Sequence, residues 1–203
     1  MKRLSFYTAV GFFFLICSPG SHSAFGQDFV RGKLGIFVKT DQKEYQAKKN
    51  NEIAPGTFLR LFLFPEKNCF IYSFHSDGNS VEALHPPRQI ITRDSLILPA
   101  SNTFYEIGAE DKTASFYLII SSEPISELNR ISTKLPVEQW GKIQRDLMKK
   151  SRILDNPDNN LPFSLAGNVR GEEDSFNASF IDKLPVSSGR KLILRTYDFQ
   201  IKK

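Results

Sequence analysis

The chain has few of the residues that form disulfide bonds or commonly act in catalysis and metal binding. Its 203 residues include two cysteines, two methionines, one tryptophan and three histidines. Cys17 lies in an N-terminal stretch that we expect to be removed, which leaves Cys69 alone. One cysteine cannot form an internal disulfide, so the sequence excludes the small disulfide-stapled class. A chain of this length instead buries roughly 70% of its surface on folding, which is enough for an apolar core.

Long apolar runs are also scarce, and the one at the N-terminus, Phe6–Cys17, is too short for a membrane span. Crossing a bilayer takes about 20 apolar residues. Lys2 and Arg3 precede the run, and small residues follow it at Ala24 and Gly26. This order predicts a secretory signal peptide over residues 1–26, cut after Gly26 or after Ala24. An uncleaved membrane anchor is the alternative.

Cys17 raises a second alternative, a lipid anchor in the bacterial outer membrane. The polar stretch Ser18–Ser23 resembles the tether of such lipoproteins. Ile16, however, is bulkier than the small residue that normally precedes a lipidated cysteine. We therefore expect a periplasmic or secreted protein, with lipidation at Cys17 as the alternative.

Charge of one sign is not concentrated anywhere in the mature chain. Removal of Lys2 and Arg3 lowers the formal net charge from +5 to +3, with 25 basic and 22 acidic residues mixed along the chain. The runs Lys48-Lys49 and Lys149-Lys150 with Arg152 are therefore interpreted as solvated faces. We expect no nucleic-acid partner.

Aromatic residues are plentiful, with 18 phenylalanines and six tyrosines, and this composition favours β-sheet. Turn signals at Lys48–Asn51, Pro55-Gly56 and Ser76–Asn79 separate the apolar segments. The predicted strands are Lys33–Thr40, Phe58–Phe64, Cys69–His75, Ser80–Leu84, Ser95–Leu98, Thr103–Ile107 and Ala114–Ser121. Phe58–Phe64 is apolar at every position except Arg60, which predicts a strand buried on both faces.

The second half of the chain predicts helices as well as strands. Pro124–Ile131 predicts one or two helical turns. Pro136–Arg152 predicts an amphipathic helix, because Val137, Trp140, Ile143 and Leu147 recur at helical spacing. Two closing strands are predicted at Phe176–Ile181 and Lys191–Ile201, separated by a turn at Ser187–Gly189.

These elements predict a mainly β fold, an antiparallel β-sandwich-like domain with one amphipathic helix packed on it. No stretch is typical of a linker, and the last strands need partners from the first half of the chain. Residues 27–203 are therefore predicted to form a single β-rich domain.

Several of these segments resemble a known family. The stretches Leu59–Tyr72, Ser76–Asn79 and Leu84–Pro86, with Leu98-Pro99 and Ile120–Pro124 further on, are similar to the bacterial domain of unknown function 4384. The resemblance covers residues 33–131 and, more loosely, the tail from residue 194. It implies an exported β-sandwich-like domain of the kind attached to peptidases or kinases, and it implies no catalytic residues.

Two features depart from that family pattern. His85 stands where an aromatic residue is usual, and Lys48–Asn51 replaces a short Gly-Asp turn.

Cys69, His75 and Asp77 could supply a thiol nucleophile, a base and an orienting group, and Cys69, His75 and His85 could supply zinc ligands. Cys69 and His75 share a strand face, but six residues of strand span roughly 20 Å, too far for a hydrogen bond. A zinc site would also need a fourth ligand. We therefore expect a buried Cys69, no catalytic residues, no metal and no cofactor.

Two further motifs are weak. Asp155–Asn160 is rich in oxygen ligands but lacks the glycine and terminal glutamate of a calcium loop, so we interpret it as a polar turn. Asn177-Ala178-Ser179 matches a glycosylation acceptor, which matters only in a eukaryote. The sequence has no phosphate-binding loop, dinucleotide fingerprint or Gly-x-Ser-x-Gly elbow.

The functional hypothesis is an exported, non-enzymatic envelope protein that binds another envelope protein or acts as an accessory module. A thiol hydrolase using Cys69 with a histidine is one alternative. Small-ligand binding in an aromatic-lined cleft beside Trp140 is another. The sequence does not indicate an oligomeric state.

Overall fold

The computed structural model describes residues 29–90, 95–100, 103–131, 134–151 and 179–202. Its strands are β1 (Phe29–Lys39), β2 (Glu44–Gln46), β3 (Asn50–Ile53), β4 (Phe58–Pro65), β5 (Cys69–Ser76), β6 (Ser80–Ala83), β7 (Arg88–Ile90), β8 (Leu96–Leu98), β9 (Tyr105–Glu106), β10 (Thr113–Ser121), β11 (Leu135–Pro136), β12 (Val186–Arg190) and β13 (Leu192–Ile201). The helices are α1 (Ser126–Asn129), α2 (Val137–Lys150) and a short α3 over residues 179–183.

The strands form two sheets. The six-stranded sheet has the order β12-β1-β4-β8, with β2 beside β1 and β9 beside β4. The seven-stranded sheet has the order β11-β6-β5-β10-β13-β3, with β7 beside β5. Among the described pairs, every one is antiparallel except β13 with β3. This mainly β sandwich, with α2 packed on it, confirms the predicted fold class.

The core between the sheets forms because the central strands are apolar on both faces. Leu59, Leu61 and Leu63 of β4 point inward and meet residues of β5 and β10 such as Ile71 and Leu118. Phe62 and Phe64 point to the opposite face of the same strand. The alternation predicted for Phe58–Phe64 is therefore confirmed, and each sheet also presents an apolar outer face.

Helix α2 covers the outer face of the seven-stranded sheet. Trp140 is completely buried, and its ring centroid lies 4.8 Å from those of both Phe74 and Tyr117. Leu147 is buried in the same cluster two turns later. The predicted helix and its packing through Trp140 are confirmed. No described helix is long and apolar enough to cross a bilayer.

Helix α3 covers the outer face of the six-stranded sheet. The Phe180 ring lies 4.9 Å from the Phe62 ring and 5.3 Å from the Phe37 ring. Gly35 permits a close approach, because a Cβ built there would lie 2.3 Å from Leu184 Cδ2. The buried Lys33 ammonium donates hydrogen bonds to the carbonyl oxygens at the end of α3.

The prediction for residues 176–191 is wrong in two places. Within the predicted strand Phe176–Ile181, residues 179–181 are helical, and the rest lies outside the described residues. Ser187–Gly189, predicted as a turn, lies inside β12 and pairs with β1. The actual reversal is at Lys191, which adopts φ +68° and passes the chain from one sheet to the other.

The region before β4 also differs from the prediction. Lys48–Asn51 is not entirely a loop, because β3 begins at Asn50 and pairs with β13. The short β2 follows a polar turn and pairs antiparallel with β1. The sequence prediction placed only the end of the strand Lys33–Thr40 at this turn. β2 and β3 are short and mostly polar, so their composition does not predict strands. They are strands because they pair with β1 and β13.

Candidate functional site

Cys69 opens β5, and its side chain belongs to the core between the sheets. The thiol is buried, and this burial raises its pKa to about 12. A thiol with that pKa stays protonated at neutral pH, and the protonated form is a poor nucleophile.

His75 lies near the other end of β5, opposite Glu82 of β6. Its ring centroid is 5.0 Å from that of Phe116, and its Nδ1 is 3.9 Å from a Glu82 carboxylate oxygen. Burial lowers the pKa of His75, although the charges of Glu82 and Asp77 oppose that shift. His75 is therefore mainly neutral at pH 7.

His85 lies outside β6, and its Nδ1 is within hydrogen-bonding distance of the Pro86 carbonyl oxygen. The structure thus places Cys69 in the core, His75 at the far end of the same strand and His85 between β6 and β7. Within the described ranges, no group of three or more His, Cys, Asp and Glu side chains could hold a metal ion.

Other sequence predictions fall outside the described residues. These are the signal peptide over residues 1–26 with Cys17, the polar turn Asp155–Asn160 and the acceptor Asn177. They stay predictions.

The aromatic cleft proposed beside Trp140 is occupied by Trp140 itself. The indole sits between Phe74 and Tyr117, with each pair of ring centroids 4.8 Å apart. A ligand at this place would have to displace the indole.

A groove of about 500 Å³ opens elsewhere, between β1 of one sheet and β13 of the other. The segment before β3, the end of α2 and Pro185 complete its walls. We call it the edge groove. Its apolar lining consists of Leu34, Ala47, Met148, Pro185, Leu194 and Tyr197. Most of these side chains are buried, but Met148 is half exposed, so an apolar surface remains accessible.

The edge groove runs along strand edges that are only partly paired. On one side β10 pairs with β13 over Leu192–Gln200, and on the other β3 pairs only with Asp198–Ile201. Of the strands that the structure describes, none pairs with the outer edge of β13 over residues 192–197. This edge is therefore the backbone surface that the groove presents.

The direction of the backbone at this edge follows from two hydrogen bonds. The Leu194 N–H donates to Ser151 Oγ at 3.1 Å, and the Asp198 N–H donates to the Lys49 carbonyl oxygen at 2.8 Å. Both groups point away from β10. Because the direction of backbone groups repeats every second residue along a strand, the N–H and C=O of Thr196 point the same way, into the groove.

The charged residues that line the edge groove in the described part of the chain are all basic. Lys48 and Lys49 are exposed at its rim, and Arg195 is half-buried. The Arg195 guanidinium donates a 2.8 Å hydrogen bond to Ser187 Oγ on β12, which fixes its position. No described lining residue is acidic. The groove therefore favours an anionic ligand.

Tyr197 links the two sheets at the base of the edge groove. Its hydroxyl donates to the Leu34 carbonyl oxygen at 3.4 Å. Burial raises the pKa of Tyr197, while the positive charge of Arg195 acts in the opposite direction. The phenol is thus protonated at neutral pH and serves as a hydrogen-bond donor.

Sequence reasoning missed the edge groove. It interpreted Lys48-Lys49 as a solvated face and gave Arg195 no role. The only sequence feature that pointed to the edge groove was this basic pair at a predicted turn. Its meaning depends on the pairing of β3 with β13, which brings together residues about 150 positions apart.

No protein-family model, curated protein or solved structure matches this chain. The resemblance to the domain of unknown function 4384 therefore rests on the motifs quoted above and stays a prediction.

Proposed function

We propose that this protein is an exported bacterial envelope protein that acts by binding another protein in the edge groove, without catalysis. The observation that carries this proposal is the coincidence in one groove of a half-exposed Met148, the β13 backbone edge and the basic residues Lys48, Lys49 and Arg195. Apolar contact, backbone pairing and charge are the three sources of affinity in peptide-binding grooves.

Site-specific photo-crosslinking in the native host tests this proposal. A photoreactive phenylalanine analogue at Met148 should form an adduct with one protein, identified by mass spectrometry. The same analogue at Lys67, an exposed residue outside the groove, should not. The identified protein, once purified, should bind the wild-type chain and lose affinity for the double variant Lys48→Glu, Lys49→Glu. Equal binding to both chains would refute the groove as the site.

Export is tested separately by mass analysis of the N-terminus. We expect loss of the first 24 to 26 residues, as the signal pattern predicts. A diacylglyceryl group on Cys17 would show that the protein is anchored in a membrane by a lipid and is not secreted. An intact N-terminus would contradict export by this signal.

The alternative, a thiol hydrolase, is tested by alkylation of the folded chain. The raised pKa of Cys69 predicts that iodoacetamide labels it slowly at pH 7 and fully after denaturation. Peptide mapping separates label on Cys69 from label on Cys17. Rapid labelling of native Cys69 would favour the hydrolase.

A further inference from the structure

We propose that the edge groove binds its partner by strand addition, in which an extended acidic segment pairs with the outer edge of β13 at Thr196. This inference rests on the proposed function, and it specifies the conformation and charge of the bound segment. In this mode main-chain hydrogen bonds supply affinity and alternate side chains supply specificity.

The protein itself already uses this edge for pairing. β3 adds to β13 in parallel from Asp198 to Ile201, and the Lys49 carbonyl oxygen receives the Asp198 N–H. The edge continues towards the N-terminal end of β13, where Thr196 presents its N–H and C=O. A second strand can therefore bind in line with β3.

The available length sets the size of the bound segment. Ser151 holds the Leu194 N–H at one end, and Lys49 holds the Asp198 N–H at the other. Four strand residues separate these two points, which is about 13 Å. The paired part of the ligand is therefore short, about four residues.

The two faces of β13 determine which side chains the segment needs. Tyr197 belongs to the core between the sheets, so Arg195 lies on the same face of the strand. Leu194 belongs to the cluster under α2, whose last turn presents Met148. A strand beside β13 would direct alternate side chains to these two sides. Acidic residues suit the side of Arg195, and apolar residues suit the side of Met148.

Peptide binding tests the charge requirement. The probe is a fluorescein-labelled eight-residue peptide of alternating glutamate and valine, and binding is followed by fluorescence anisotropy. The matched peptide of alternating lysine and valine should not bind. Lys48→Glu, Lys49→Glu should weaken binding of the acidic peptide at least about tenfold. Lys67→Glu, an exposed change outside the groove, should leave it unchanged. Equal binding of both peptides would overturn the acidic specificity.

N-methylation of the peptide tests strand addition, because it removes hydrogen-bond donors and keeps the charge. Only one edge of an added strand faces β13, and alternate residues direct their N–H groups to that edge. Methylation of one alternate set of residues should therefore abolish binding, and methylation of the other set should leave binding unchanged. Charge attraction alone would be insensitive to both patterns. That result would overturn strand addition and leave groove binding intact.

A variant of β13 tests the position of the pairing. Thr196→Pro removes an N–H that points away from β10, so the β10–β13 pairing is retained. We expect at least about a tenfold loss of peptide affinity, whereas Thr196→Val should bind like the wild type. Melting curves identify any variant that fails to fold, and the methylated peptides then test the wild-type chain. Self-association that Thr196→Pro abolishes, without peptide binding, would assign the edge to a second copy of the chain.

Discussion

The two outer faces of the sandwich are covered in different ways. On the seven-stranded sheet, α2 has fourteen residues and buries Trp140 completely. On the six-stranded sheet, the short α3 buries Phe180, Leu184 is buried directly after it, and Lys33 donates hydrogen bonds to the carbonyl oxygens at the end of the helix. Apolar contact through Trp140 and Leu147 anchors this long amphipathic helix. A helix of about one turn has little intrinsic stability, so polar contacts must help to hold it.

The largest effect is expected on the side of α2. Trp140→Ala removes the ring that lies between Phe74 and Tyr117, and it should lower the free energy of unfolding by about 3–5 kcal/mol. Denaturant titration measures this change. Arg145→Ala, on the exposed side of the same helix, should change it by less than about 0.5 kcal/mol. A Trp140 variant as stable as the Arg145 variant would contradict apolar anchoring of α2.

A smaller effect is expected from the polar anchor of α3. Lys33→Met keeps the apolar stem but removes the ammonium that binds the Ile181 and Asp182 carbonyl oxygens at 3.0 and 3.3 Å. We expect a loss of about 1.5–3 kcal/mol. Lys39→Met is the matched control, because Lys39 lies on the same strand face but is exposed. If Lys33→Met lowered the free energy of unfolding more than Trp140→Ala, the prediction that α2 contributes more stability than α3 would be wrong.

The Lys33 anchor should also depend on pH. Burial lowers the pKa of Lys33 below its ordinary value of 10.5, and the charge of Asp182 opposes this only in part. At Lys33 the unfolded chain therefore binds more protons than the folded chain between the lowered pKa and pH 10.5, so the contribution of Lys33 to stability rises with pH in this window. The stability advantage of the wild type over Lys33→Met should grow as the pH approaches 10.5. An advantage that shrinks would contradict the direction of the shift.

The smallest effect is expected at Gly35, which lets Leu184 approach the six-stranded sheet. Gly35→Ala places a Cβ 2.3 Å from Leu184 Cδ2, and the end of that side chain must rotate away. Because only a flexible terminus has to move, the cost should be about 1 kcal/mol. Thermal unfolding measures it, and the paired change Leu184→Ala should remove the clash. A double variant with fully additive losses would argue against this contact.

The same comparison shows what sequence reasoning could predict. Trp140 and Leu147 recur at helical spacing over fourteen residues, so α2 was predictable. The segment around Phe180 is too short for periodicity to distinguish a strand from a helix, and it was assigned wrongly. Ser187–Gly189 has the composition of a turn, yet its small residues pair with β1, whose positions lie more than 150 residues earlier.

The edge groove was not predictable for a related reason. Its residues come from both sheets and from the end of α2, so no continuous stretch of sequence carries its pattern. Lys48-Lys49 was visible as a basic pair, but its proximity to Arg195 depends on the parallel pairing of β3 with β13. Cys69, in contrast, could be assigned to the core from its apolar strand alone.

The reversal at Lys191 sets an order for folding. The strands on either side of it belong to different sheets: β12 lies beside β1, and β13 lies beside β10. A nascent chain that has not reached Val186 therefore lacks a strand in each sheet at once. Closing the ladder of β1 with β12 also requires the ends of a loop of about 150 residues to meet, which favours slow folding. During synthesis both sheets therefore remain incomplete until Val186–Ile201 has been made.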